Sequence, residues 1–168
     1  MITRRNLLKA AIAGLFFNPF RKVSASAKGE RILNLYNTHS GEEAVIRYFK
    51  DGRYDPSALR DIYYMLRCPY TNEIRQIDLR VIDLLSHIKD SFNRDALVHI
   101  ISGYRSPLYN NHLRSVGGGV AKNSLHLYGQ AIDFCLPSVD MGRLYEMARS
   151  FKAGGVGRYN EFIHIDVG

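Results

Sequence analysis

Apolar positions change period several times along the chain, and each change marks an element. Ile32, Leu33, Leu35 and Tyr36 fall among polar residues in near alternation and predict a strand over 31–36. Turn chemistry follows at Asn37-Thr38-His39-Ser40-Gly41, and 42–49 reads as a second strand or a short helix. Asp51-Gly52 and Asp55-Pro56 punctuate the chain before Ala58, Leu59, Ile62, Tyr63 and Leu66 recur at helical spacing. The clearest helix runs over 76–92, where Ile77, Val81, Leu84, Leu85, Ile88 and Phe92 make one apolar stripe. Residues 96–102 read as a buried strand, 103–119 as mostly loop, and 128–134 as a turn running into another strand. A helix over 141–151, capped by Asp140 or Ser138, precedes the tight turn Ala153-Gly154-Gly155-Val156-Gly157, and 162–167 form a closing strand. No internal repeat is visible. Helices and strands mix without regular alternation, which predicts an α+β fold: a small antiparallel sheet with flanking helices.

The first 27 residues stand apart from this pattern. Arg4-Arg5-Asn6-Leu7-Leu8-Lys9 leads into an apolar run from Ala10 to Phe17, and Ala25-Ser26-Ala27 places small residues where a signal peptidase reads them. The paired arginines resemble a twin-arginine signal, a route that exports folded protein and suits one that takes its metal in the cytoplasm. The expectation is a signal over 1–27, one domain over 28–168, and a periplasmic location. An uncleaved amphipathic helix lying on a membrane is the rival reading, and it leaves the Ala-Ser-Ala site as coincidence. The apolar run is far below the ~20 residues of a spanning helix, so no stable membrane insertion is expected after the signal is removed.

The leader also changes the meaning of the charge. The whole chain of 168 residues carries +7, with 23 basic and 16 acidic residues. Five of the basic residues and none of the acidic ones lie in 1–27, so the remainder stands near +2. That gives no electrostatic footprint for nucleic acid. Cys68 and Cys135 are too few for a disulfide scaffold and read as two buried thiols, although sequence leaves their pairing open, as it does the oligomeric state.

Six histidines divide by context. His87 reads as a helix-surface residue and His99, inside a buried strand, as a satisfied core histidine; His39 and His112 sit in polar loops without partners nearby. His126 and His164 differ. In Ser124-Leu125-His126-Leu127-Tyr128-Gly129-Gln130-Ala131-Ile132-Asp133 the glycine permits a sharp turn into a strand, so that His126 and Asp133 can converge. An aspartate between Ile132 and Phe134 carries a heavy burial penalty unless paired or on a metal. In Phe162-Ile163-His164-Ile165-Asp166, alternation puts His164 and Asp166 on one face. His126, Asp133 and His164 together form a two-histidine, one-carboxylate set, a ligand type of catalytic zinc with a fourth position open for water. Ser102-Gly103-Tyr104-Arg105-Ser106-Pro107 brackets Arg105 in a rigid turn, where it would hold a substrate carboxylate or a developing oxyanion, or else only tie down its loop.

These motifs in combination, with Gly154-Gly155-Val156-Gly157-Arg158-Tyr159 and the opening Leu33-Asn34-Leu35-Tyr36-Asn37-Thr38-His39-Ser40-Gly41-Glu42, resemble the M15 zinc peptidases. That is the D-alanyl-D-alanine carboxypeptidase and murein endopeptidase group, and the likeness is to its YcbK-like branch, formerly domain of unknown function 882. The resemblance spans roughly 31–168. It implies the LAS zinc peptidase fold shared with hedgehog domains, Zn2+ on His126, Asp133 and His164, and Arg105 stabilising substrate or oxyanion beside Ser124 of the Ser-x-His element. The implied substrate is a peptidoglycan peptide, with a murein endopeptidase favoured over a D,D-carboxypeptidase. A zinc-containing cell-wall binding module of the same fold, without turnover, is the alternative. Two residues compete as general base. Glu161 has the Glu-x-x-His spacing of many M15 enzymes, though without their tryptophan; Asp166 is favoured because it shares the His164 face directly.

Overall fold

The computed structural model describes residues 29–117 and 119–168. The signal expected over 1–27 lies outside them. The chain builds seven strands, β1 (Arg31–Asn37), β2 (Glu43–Lys50), β3 (Arg53–Tyr54), β4 (Leu97–Ser102), β5 (Ala131–Cys135), β6 (Val156–Arg158) and β7 (Ile163–Asp166). Four α-helices accompany them: α1 (Pro56–Met65), α2 (Leu79–Asp90), α3 (Pro107–Ser115) and α4 (Met141–Ser150). The strands join in one sheet in the order β3-β2-β1-β4-β5-β7-β6.

The α+β class holds, but the expected antiparallel sheet is corrected to a mixed one. β4 runs parallel to β1, with Tyr36 opposite His99, while every other pairing is antiparallel. The reason is the connection: α1 and α2 intervene between β3 and β4 and carry the chain back to the end of the sheet from which β1 started. Two expectations about elements also change. Residues 107–115, read as loop, form α3, and the turn over 153–157 runs into β6.

Strand alternation sorts the two faces of the sheet. Leu33, Leu35, Ile46, Tyr48, Val98 and Ile100 point to one face and are almost wholly buried, as are Ile132, Phe134, Ile163 and Ile165. Ile62 of α1, Val81 and Leu85 of α2, and Leu144 of α4 belong to the same core. Each such large apolar side chain contributes about 1.5–3 kcal/mol on burial, so this face supplies the stability. The other face is left to polar residues. It carries His99, Asp133, His164 and Asp166 along the central strands.

Helix boundaries follow capping. Asp55 accepts from the Ser57 and Ala58 amides to start α1, Asp78 from Arg80 to start α2, and Asp140, the expected cap, from Arg143 to start α4. α2 therefore starts at Leu79, although Ile77 before it is fully buried. Cys68 and Cys135 are separate free thiols, the first buried and the second half-buried.

Gly129 closes the turn that sends the chain into β5. Its φ is +68°, and a Cβ there would lie 2.5 Å from the Gln76 carbonyl oxygen. Its own carbonyl accepts from the Asp78 amide at 2.9 Å, tying the turn to the start of α2. Gly129→Ala is expected to destabilise the domain by about 1–3 kcal/mol through left-handed strain alone, with further loss from the Gln76 clash, as read by urea unfolding.

Candidate metal centre

Asp133 lies in the middle of β5, and its register partner on β7 is His164. The third residue, His126, comes from a short 3-10 turn, Leu125–Tyr128, which Gly129 terminates in the left-handed conformation. That turn is anchored to the segment after β4, because the Arg105 amide donates to the His126 carbonyl at 3.1 Å. The sheet and one anchored turn thus bring together the three residues that sequence spacing had singled out.

Their hydrogen-bond partners fix which atoms they offer. His126 Nδ1 lies 2.7 Å from the Gly103 carbonyl oxygen, which only accepts, so Nδ1 carries the proton and Nε2 presents a lone pair. His164 Nε2 lies 3.2 Å from Asp166 Oδ2, which places the proton there and turns the Nδ1 lone pair inward. Asp133 Oδ1 is 3.2 Å from His126 Nε2 and 2.8 Å from His164 Nδ1, and the two nitrogens are 3.2 Å apart. Three lone-pair atoms therefore face one point, an arrangement that repels itself unless a cation occupies it. Neighbouring ligands on tetrahedral zinc, with bonds of about 2.0–2.1 Å, stand about 3.3 Å apart, so the spacing fits such an ion closely. Among the described residues this is the group of histidine, cysteine and acidic side chains placed to hold a metal.

Ionisation follows the same geometry. Burial raises the Asp133 pKa, but hydrogen bonds and charge from His126 and His164 outweigh it and hold the carboxyl well below the usual carboxylate range. Burial lowers the His164 pKa, yet its bonds to Asp133 and Asp166, with their charges, leave it above the ordinary histidine value. A proton on His164 does in the metal-free chain part of what a bound cation would do.

The second oxygen of Asp133 is held separately. Arg105 Nη2 lies 3.4 Å from Asp133 Oδ2 and 3.3 Å from Ser102 Oγ, and the arginine is only 7% exposed. Its Nε has no partner in the protein. Asp166 is fixed in turn by the Gly155 amide, which donates to Oδ1 at 2.8 Å. A Cβ on Gly155 would lie 2.4 Å from Asp166 Oδ2, so the glycine admits the carboxylate.

A cavity of about 480 Å³ opens above this set. The three residues line it together with Arg105 and Asp166, Ser124 and Leu125, and Tyr159 and Phe162. Glu161 does not line it. It is exposed in the turn between β6 and β7, where its charge acts on Cys135. Asp166 does share the His164 face, but it meets the ring nitrogen that points away from His126 and Asp133. The remaining histidines stay outside: His39 bonds the Ile101 carbonyl, His87 is exposed on α2, His99 packs on Tyr36, and His112 stacks on Tyr70. Sequence reasoning missed Tyr159 and Phe162 as cavity residues, although Tyr159 ends the Gly-Gly-Val-Gly-x-Tyr motif.

A two-histidine, one-carboxylate set at the base of an open cavity is the arrangement of a mononuclear metallohydrolase. The chain belongs to the M15 peptidase family described as peptidoglycan L,D-endopeptidase MepK, which matches residues 25–168. It is 38% identical over 140 residues to the peptidoglycan L,D-endopeptidase MepK of Escherichia coli (strain K12), covering 82% of this chain and 77% of that protein. It is 34% identical over 141 residues to the probable peptidoglycan L,D-endopeptidase MepK of Haemophilus influenzae, covering 82% and 76%. No solved structure matches the chain.

His126→Ala and His164→Ala are each expected to abolish stoichiometric zinc binding, measured as metal content after dialysis. Zinc binds only the neutral ring, so affinity should fall as pH drops through the raised pKa of His164, and binding should release a proton from that ring at and below this pKa but not well above it. Isothermal titration in buffers of different ionisation enthalpy reads both effects.

Proposed function

We propose that this protein is a zinc-dependent endopeptidase that hydrolyses an L,D peptide bond in peptidoglycan, outside the cytoplasm. The observation that carries the reading is the convergence of three lone pairs, with tautomers fixed by Gly103 and Asp166, at the base of a cavity open to a peptide. The relatives' activity supplies the substrate. The fold is read as the LAS type, since the ligands come from two paired central strands and the turn before one of them.

Zinc in this set would lower the pKa of a bound water toward ~7 and polarise the scissile carbonyl. The chain's own residues do the rest. His126, Asp133 and His164 hold the ion, and Asp166 acts through His164 by fixing its tautomer and orientation. Arg105 keeps Asp133 Oδ2 engaged, and its place in the cavity lining supports a role for the guanidinium in stabilising a developing oxyanion. Ser124, at the cavity edge, is placed to hydrogen-bond the substrate backbone. A carboxypeptidase requires a basic clamp for a free terminal carboxylate. Among the described residues, the one lysine or arginine lining the cavity is Arg105, and Asp133 already occupies it, which favours an endopeptidase. Among those residues, no helix is long and apolar enough to cross a membrane. Export by the twin-arginine route rests on Arg4-Arg5 alone.

Purified sacculi treated with the protein should release peptide fragments, and a chelator should stop the release. Intact sacculi beside zinc-loaded protein would instead support a binding module. Asp166→Asn is expected to lower zinc affinity or turnover about 10–100-fold, whereas Glu161→Gln should stay near wild type, as followed by metal content and fragment release. Near-normal turnover in Asp166→Asn with loss in Glu161→Gln would reverse the two roles. For export, changing Arg4 and Arg5 both to Lys should leave the precursor in the cytoplasm, detected by fractionation.

A further inference from the structure

The hairpin joining β6 to β7 carries an aromatic pair that the metal centre does not use. Tyr159 stacks on Phe162 with ring centroids 4.5 Å apart and planes 17° from parallel. The pair is held by the backbone, the Tyr159 amide donating to the Phe162 carbonyl at 3.0 Å. Both rings line the cavity, yet Tyr159 remains 55% exposed. An exposed ring that lines the cavity is free to meet a bound peptide.

Gly157 explains how the ring reaches its place. Its register partner is His164. A Cβ on Gly157 would lie 3.2 Å from Tyr159 Cε2 and 3.3 Å from His164 Cβ. The phenol ring therefore folds back over Gly157 and ends beside the strand position that holds a metal ligand. A larger residue at 157 would push it away. The second half of the Gly-Gly-Val-Gly-x-Tyr motif thus seats an aromatic ring next to His164, just as its first half admits the Asp166 carboxylate.

We propose that Tyr159, braced by Phe162 and seated by Gly157, is a substrate-contacting wall that positions the stem peptide against the metal centre. The proposal rests on the peptide-substrate reading above. A flat, half-desolvated ring packs on the planar peptide group and on aliphatic side chains, and its rigidity keeps the entropy lost on binding small. Ser124 and Leu125 line the same cavity and would offer the peptide one polar and one apolar contact besides the ring. In this arrangement the ring matters more than the hydroxyl.

The test uses zinc-loaded protein and a soluble cross-linked muropeptide containing the L,D bond. Cleavage rates and calorimetric binding are measured for wild type, Tyr159→Ala and Tyr159→Phe, with zinc content and melting temperature recorded for each. Tyr159→Ala is expected to raise KM and Kd about tenfold with zinc content kept and kcat changed little, and Tyr159→Phe to stay within about threefold of wild type. Unchanged KM and Kd in Tyr159→Ala would overturn the proposal. So would equal loss of kcat in both variants with KM kept, which would make the hydroxyl catalytic. Phe162→Leu, which keeps apolar bulk but removes the stack, should raise KM in the same direction, and it decides the matter if Tyr159→Ala loses zinc. Wild type that binds the muropeptide without cutting it would refute the endopeptidase reading while the wall is still read from Kd; wild type that neither binds nor cuts it would refute both.

Discussion

The charge of Asp133 has to be met inside the protein, and most of the site follows from how it is met. The residue is 6% exposed, on a strand whose neighbours Ile132 and Phe134 are fully buried. A carboxylate in that position is tolerable only if both oxygens are engaged. Oδ1 turns to two histidine nitrogens, and Oδ2 turns to Arg105. The division keeps Oδ1 free of the arginine, so it can serve as a ligand through one oxygen. It also holds a buried cation close to where substrate charge would develop. The arginine is itself placed by Ser102, the register partner of Asp133 on β4.

The histidines are controlled from outside the ligand set. Gly103 offers a backbone carbonyl to His126, and the Gly155 amide holds the Asp166 carboxylate that fixes His164. One restraint comes from the end of β4 and the other from the start of β6. Four neighbouring strands therefore contribute to a single cluster, while helices α1, α2 and α4 lie in the core on the opposite face. Core packing and site chemistry are separated by the thickness of the sheet. Substitutions in the core should reach the site only through strand position.

How much of this the sequence disclosed depends on whether the signal was local. The convergence of His126, Asp133 and His164 was legible, because alternation in 162–167 and a buried aspartate in an apolar run are features of a few adjacent residues. The α+β class was legible for the same reason. The parallel pairing of β1 with β4 was not, since register between strands sixty residues apart has no local mark. α3 was hidden despite a good start signal, with Ser106 accepting from the Tyr109 amide and Pro107 in the first turn. Its one fully buried residue is Asn110, so there is no apolar stripe to find. The opposite error occurred at α2, where buried Ile77 extended the stripe beyond the true cap at Asp78. The competition between Glu161 and Asp166 could not be resolved from spacing. The direction in which the hairpin turn sends Glu161 has no local mark in the sequence.

The cavity divides labour between the sheet and the segments that leave it. Its base is built on β5, β7 and a turn anchored by the Arg105 amide, elements whose register is fixed by the core on the other face. Its sides come from the 119–125 segment and the tip of the β6–β7 hairpin, which the core does not constrain. The glycines after α4 connect the two regimes. Gly155 belongs to the base, because it admits the carboxylate behind His164. Gly157 belongs to the side, because it leaves room for Tyr159, and the two are separated only by Val156, whose side chain packs against the core. One short strand thus alternates between holding up the chemistry and shaping the approach to it. That alternation gives a physical reason for finding small residues at both positions of a segment that otherwise reads as a simple turn.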